Sequence, residues 1–157
     1  MINSIYLRRF LLLVAFTGSF LSMEAQLDTA IVRQKVEAKR YTFVAQTALP
    51  MRGRTVQLTS LYDLRVTSDS VIAGLPYYGR AYSAPINPSD NGINFTSVSF
   101  DYQAKYRKKR WEIKIRPKDN QTVSEMNLTI YSNGKASLQV ISNNRQPISF
   151  SGVLSSK

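Results

Sequence analysis

Phe100-Asp101-Tyr102-Gln103-Ala104-Lys105-Tyr106-Arg107-Lys108-Lys109-Arg110-Trp111-Glu112-Ile113-Lys114-Ile115-Arg116 is the stretch that decides the fold. Apolar residues recur at every second position on both sides of four consecutive cations, which is the period of a half-buried strand and not of a helix. Val98, Phe100, Tyr102, Ala104 and Tyr106 form one face; Trp111, Ile113 and Ile115 form the next. Opposed residues in an antiparallel pair point to the same side of the sheet, so pairing Tyr106 with Trp111 predicts a hairpin with Arg107-Lys108-Lys109-Arg110 as its loop. The same register sets Lys105 opposite Glu112 and Asp101 opposite Arg116, a charge match that the apolar alternation did not have to deliver.

The rule extends to both sides. Tyr62, Leu64 and Val66 superimpose on Leu75, Ala73 and Val71 when Thr67-Ser68-Asp69-Ser70 is a four-residue loop that pairs Val66 with Val71. A two-residue turn at Asn133-Gly134 would mix faces. A three-residue loop, Ser132-Asn133-Gly134 with Gly134 left-handed, pairs Leu128 with Leu138, Ile130 with Ala136 and Met126 with Val140. Tyr41, Phe43 and Ala45 alternate in a first strand ended by Leu49-Pro50 and Gly53. Before it, Ile31, Val32 and Val36 recur at helical spacing between Asp28 and Lys39 and predict a short amphipathic helix. The Pro, Asn, Ser and Gly residues of 83–92 read as a loop.

The chain has 157 residues, no cysteine and no histidine, and a formal net charge of +11. Thiol and imidazole catalysis are thereby excluded, as are disulfides and zinc, haem or iron–sulfur sites of the usual ligand types. No cofactor and no metal are expected. Arg8 and Arg9 precede an apolar stretch over 10–20 that is too short to span a bilayer, followed by small and polar residues to Ala25-Gln26. Residues 1–25 therefore read as a secretory signal peptide and 26–157 as a single β-rich domain, exported to the periplasm or cell envelope of a Gram-negative bacterium. Its removal takes Arg8, Arg9 and Glu24 from a net charge of +11 and leaves +10, with no transmembrane segment in the mature chain.

Two clusters are candidate contact sites. Arg107, Lys108, Lys109 and Arg110 concentrate positive potential at a hairpin tip, which serves either as a solubilising turn or as a contact for a polyanion. Nucleic acid is disfavoured, because Tyr102, Tyr106 and Trp111 lie on the predicted core face and an exported protein meets little of it. Anionic envelope glycolipid or polysaccharide fits the compartment better. The second cluster is Tyr77, Tyr78, Arg80 and Tyr82, with Arg145 further on; rings beside an arginine suit sugar stacking or a cleft mouth, and equally a rigid corner built on Pro76 and Gly79. Arg80 and Arg145 would either lock loops through backbone carbonyls or hold an anionic ligand. Asp63 and Asp69 flank one hairpin, but the register puts Asp69 in the turn and Asp63 outward, against a glycosidase-like pair. No Walker loop, nucleophile elbow or GxGxxG turn is present.

Leu75-Pro76-Tyr77-Tyr78-Gly79-Arg80-Ala81-Tyr82, Gly92-Ile93-Asn94-Phe95 and Asn144-Arg145-Gln146-Pro147-Ile148-Ser149-Phe150-Ser151-Gly152 resemble the uncharacterised family catalogued as domain of unknown function 4251. The resemblance covers nearly all of the mature chain and implies an exported envelope protein of Gram-negative anaerobes, often a lipoprotein, although this sequence lacks the lipidation cysteine. It also implies a compact antiparallel sheet curled like a small lipocalin-type barrel, and it supplies no activity or site residue. The expectation is a mainly β, non-enzymatic binding or structural module. A carrier of a small apolar ligand in a barrel cavity is the alternative.

Overall fold

The computed structural model describes residues 29–82 and 92–155, so the leader read over 1–25 and residues 83–91 of the loop lie outside the described residues. A helix, α1 (Thr29–Glu37), is followed by β1 (Tyr41–Pro50), β2 (Val56–Val66), β3 (Val71–Pro76), β4 (Gly92–Ser97), β5 (Phe100–Arg107), β6 (Arg110–Pro117), β7 (Val123–Tyr131), β8 (Lys135–Ser142) and β9 (Ile148–Leu154). All nine strands form one sheet in the order β4-β3-β2-β1-β9-β8-β7-β6-β5. Every pairing is antiparallel.

The outermost strands are β4 and β5, yet only Val98 and Ser99 separate them in the chain. Three residue steps reach at most about 10 Å, so the two edges must come together and the sheet must curl into a nearly closed barrel. Residues 92–107 are in effect one extended stretch. Its first half pairs with β3 and its second half with β6. The kink between the halves is held from the β6–β7 loop by Asp119, which accepts hydrogen bonds from the Ser97 hydroxyl (2.5 Å) and the backbone N–H of Val98 (2.9 Å) and Ser99 (3.2 Å). Those bonds, the Ser97 hydroxyl first, hold the Asp119 carboxyl below its ordinary value. Val98 was expected on the apolar face; at the kink it is instead 72% exposed.

The predicted hairpin registers are present: Val66 with Val71, Leu128 with Leu138, Met126 with Val140 and Tyr106 with Trp111. Gly134 adopts φ 79°, as the three-residue loop requires. The cationic loop is tighter than expected. Arg107 and Arg110 pair with each other, so the turn consists of Lys108 and Lys109 alone. Lys105 and Asp101 stand opposite Glu112 and Arg116 in register, but the ion pairs run elsewhere: Arg110 with Glu112 at 2.8 Å, Lys118 with Asp101 at 2.6 Å and Arg116 with Glu125 at 2.8 Å. Long side chains reach along and across strands, and Cα opposition alone does not select a partner.

The first strand carries a bulge that strict alternation does not reveal. Both ladders of β1 shift between Ala45 and Thr47, so the inward positions run Tyr41, Phe43, Ala45 and then Ala48. Bulges sharpen bend and twist, which a closing sheet needs. Here β9 approaches so closely that a Cβ on Gly152 would fall on the Val44 carbonyl oxygen. Phe43, Leu64, Leu75, Ile115, Met126, Leu128, Ile130, Leu138, Ile148 and Phe150 fill the inside with less than 2% exposure each. Val32 and Val36 of α1 join this core, whereas Ile31, also expected to be buried, is 43% exposed because it lies on the flank of the helix. Among the described residues the inward positions pack against one another in a single core cluster, which counts against the carrier alternative. No described helix is long and apolar enough to cross a membrane.

Candidate functional site

In a meander, alternate loops lie at the same end of the barrel. The β5–β6 tip, the β7–β8 turn and the N-terminus of α1 therefore share one rim, while the segments after β3 and before β9 share the opposite one. The two clusters singled out in the sequence lie on opposite rims.

At the far rim, residues 80–82 and 144–146 are stitched together. Ala81 bridges Arg145, the Tyr82 N–H donates to the Asn144 carbonyl (2.8 Å), and the Gln146 N–H donates to the Arg80 carbonyl (3.1 Å). The Tyr77 hydroxyl lies within 3.0 Å of the Arg80 carbonyl and 3.1 Å of the Gln146 carbonyl. Burial pushes the Tyr77 phenol up, so it remains a donor. The Arg145 guanidinium sits 5.1 Å from the centre of the Tyr77 ring, and its Nη1 donates to the Gly92 carbonyl at 2.8 Å. Tyr77 and Arg145 are thus engaged with backbone, while Tyr78, Arg80 and Tyr82 remain outside. The structure brings these five residues into one corner, and two of them close it.

At the near rim, Lys108 and Lys109 adopt φ 50° and 62°. Two successive left-handed residues make a type I′ turn, where Asn-Gly is the favoured pair because other side chains crowd the backbone. An open groove of about 440 Å³ lies beside this turn, lined by Lys108, Lys109, Tyr131, Ser132, Asn133 and Lys135. Arg110 is drawn away to Glu112, whose carboxyl it holds below the ordinary value. Among the described residues no salt bridge involves Arg107, Lys108, Lys109 or Lys135. Lys135, Tyr131 and Asn133 were not singled out from the sequence. The signal was available, since the β7–β8 turn must neighbour the β5–β6 tip in any meander of these strands.

On the inner side of the same rim, α1 lies over the end of β6. Trp111 is half-buried and touches Tyr106, with ring centres 5.2 Å apart and planes tilted by 54°. Tyr106 was expected in the core, but it is 51% exposed because β5 is the last strand of the sheet and overhangs the barrel. Its ring and Trp111 form the floor of a groove of about 210 Å³, whose other walls are Thr29, Val32, Arg33, Glu37 and Ser132. Arg33 and Glu37 pair across one helical turn at 2.8 Å. Deeper in, Tyr41 and Tyr102 bond through their hydroxyls at 3.1 Å, and burial raises the Tyr41 phenol well above its usual range.

The fold defined by these strands is a small antiparallel barrel capped by one helix. Residues 23–154 match the family described as Domain of unknown function (DUF4251), and the chain belongs to that family. The crystal structure of a DUF4251 family protein from Bacteroides eggerthii DSM 20697 has a similar fold, with a TM-score of 0.58 at 14% identity over 80% of this chain and 85% of that one. No curated protein matches.

Proposed function

We propose that this chain is an exported, envelope-associated binding module of a Gram-negative cell and that it contacts a polyanion through the rim carrying the β5–β6 tip. The leader-like residues before Gln26 support export. The observation that carries the binding reading is the turn itself. Lys108 and Lys109 occupy the two left-handed positions that Asn and Gly fill most easily, at a cost on the order of 1 kcal/mol or more per residue. Cations are kept there without a salt bridge among the described residues, next to Lys135, so the strained turn is also part of a cluster of positive charge. A turn that served only to reverse the chain would gain stability from Asn-Gly.

The double variant Lys108→Asn with Lys109→Gly separates these demands. It is expected to unfold at higher denaturant concentration, by about 1 kcal/mol, and to elute earlier in salt from a column of sulfated polysaccharide. Screening makes the wild-type retention salt-sensitive. Unchanged elution of the stabilised variant would dismiss the tip as the contact.

A further inference from the structure

We propose that the groove between α1 and the β5–β6 hairpin takes a single sugar ring, so that this rim recognises a saccharide bearing an anionic substituent and not a bare polyanion. The inference rests on the polyanion reading above and names its ligand class. Tyr106 and Trp111 offer adjoining ring surfaces, one of them half-exposed at a position where a core residue would be covered. Flat rings give contact area to the C–H face of a pyranose at little entropic cost. Facing them, Arg33 keeps its terminal guanidinium N–H groups as donors and Glu37 its second carboxylate oxygen as acceptor beside the bond they share. The Thr29 hydroxyl donates to the Ser132 carbonyl (3.4 Å) and so offers an acceptor, and the Ser132 hydroxyl does both, which completes the mixture that vicinal hydroxyls require. The space, about 210 Å³, is below the roughly 300 Å³ at which pockets for larger ligands begin. Charged groups along the opposite wall disfavour an acyl chain.

Ser132 joins the two grooves, because it lines both this one and the cationic one. A ring seated on Tyr106 and Trp111 therefore has the ammonium groups of Lys108, Lys109 and Lys135 next to it, across the lip of the barrel. A carboxylate, sulfate or phosphate on that ring or its neighbour would lie among them. The same chemistry is found in a soluble acidic polysaccharide and in the headgroup of an anionic glycolipid.

Trp111 is the only tryptophan in the chain, so its emission reports on this groove alone. The full chain is titrated with a heparin-derived tetrasaccharide, a neutral tetrasaccharide and linear polyphosphate, and binding to lipopolysaccharide-containing vesicles is compared with binding to phosphatidylglycerol vesicles. The acidic tetrasaccharide is expected to change Trp111 emission. Tyr106→Ser is expected to weaken it roughly tenfold while leaving polyphosphate affinity unchanged. Competition between tetrasaccharide and lipopolysaccharide vesicles would assign the ligand to glycolipid as well; its absence would leave the soluble polysaccharide as the source. If Tyr106→Ser leaves tetrasaccharide affinity intact, or if polyphosphate and phosphatidylglycerol bind while the tetrasaccharide does not, the sugar subsite is rejected and the cationic tip survives. If Lys108→Ser with Lys109→Ser weakens none of the ligands, the polyanion reading falls instead.

Discussion

At the Tyr77 corner an arginine is 8% exposed and hydrogen-bonded to a carbonyl, whereas at the opposite rim two lysines occupy a left-handed turn without an ion pair among the described residues. Both regions combine tyrosines with cations, and in sequence they look alike. What separates them is where the donors go. Arg145 faces the Gly92 carbonyl and an aromatic ring, so one Nη1 donor and its packing surface are already engaged. Lys108 and Lys109 project from a turn whose own backbone disfavours them, with their donors turned to solvent. Cation and tyrosine together close a structure in one place and leave a charged surface open in the other.

The comparison breaks most completely if the wall between the rims is opened. Gly152→Ala puts a methyl group on the Val44 carbonyl and forces β9 from β1 at the bulge. It is expected to cost about 4 kcal/mol or more, among the largest single effects, read as loss of the cooperative unfolding transition or of soluble protein. Next comes Arg145→Ala at the closed corner, which leaves the Gly92 carbonyl without its donor and uncovers Tyr77. A loss of about 2 to 3 kcal/mol is expected by chemical denaturation, with no change in retention on sulfated polysaccharide. If retention fell and stability held, the roles assigned to the two rims would have to be exchanged.

The smallest effect tests the wall itself. Glu125 lies between Lys114 (3.2 Å) and Arg116 (2.8 Å) and accepts from the Asn127 amide (2.9 Å). The amide bond first, then the two cations, hold its carboxyl down to about 2. Because the folded value is depressed, this stabilisation is fully present above the ordinary glutamate range and is lost as pH falls through that range toward about 2. Thermal unfolding followed between about pH 5 and about pH 2 should show a declining midpoint, and Glu125→Gln should flatten part of that decline. Asp119 shifts in the same direction, so some slope should remain in the variant.

Much of the barrel was legible because a strand has period two and a turn has a length. Once Leu128, Ile130 and Met126 had to face Leu138, Ala136 and Val140, a three-residue loop followed, and Gly134 was there to make it. The bulge after Ala45 was hidden, since neither Gln46 nor Thr47 differs in type from an ordinary outward residue. The kink at Val98 was hidden too, because what makes it is a carboxylate twenty-one residues away in the chain. The two-residue cationic turn could not be read, since lysine is the wrong residue for it by every local rule. Tyr106 kept its predicted face and lost its predicted burial, a difference set by the neighbour that an edge strand lacks.

By itself the sequence determined the class of fold, the inward residues of the regular stretches of strand, the three hairpin registers and the lack of thiol and imidazole side chains among its residues, because these follow from side-chain type and short-range spacing. Only the tertiary structure decided that β4 and β5 bring the two edges of the sheet together, that Arg145 is spent on the backbone, and that Lys135 and the helix join the β5–β6 tip at one rim. Those outcomes depend on which distant groups closure brings within a few ångströms, and no local period encodes that.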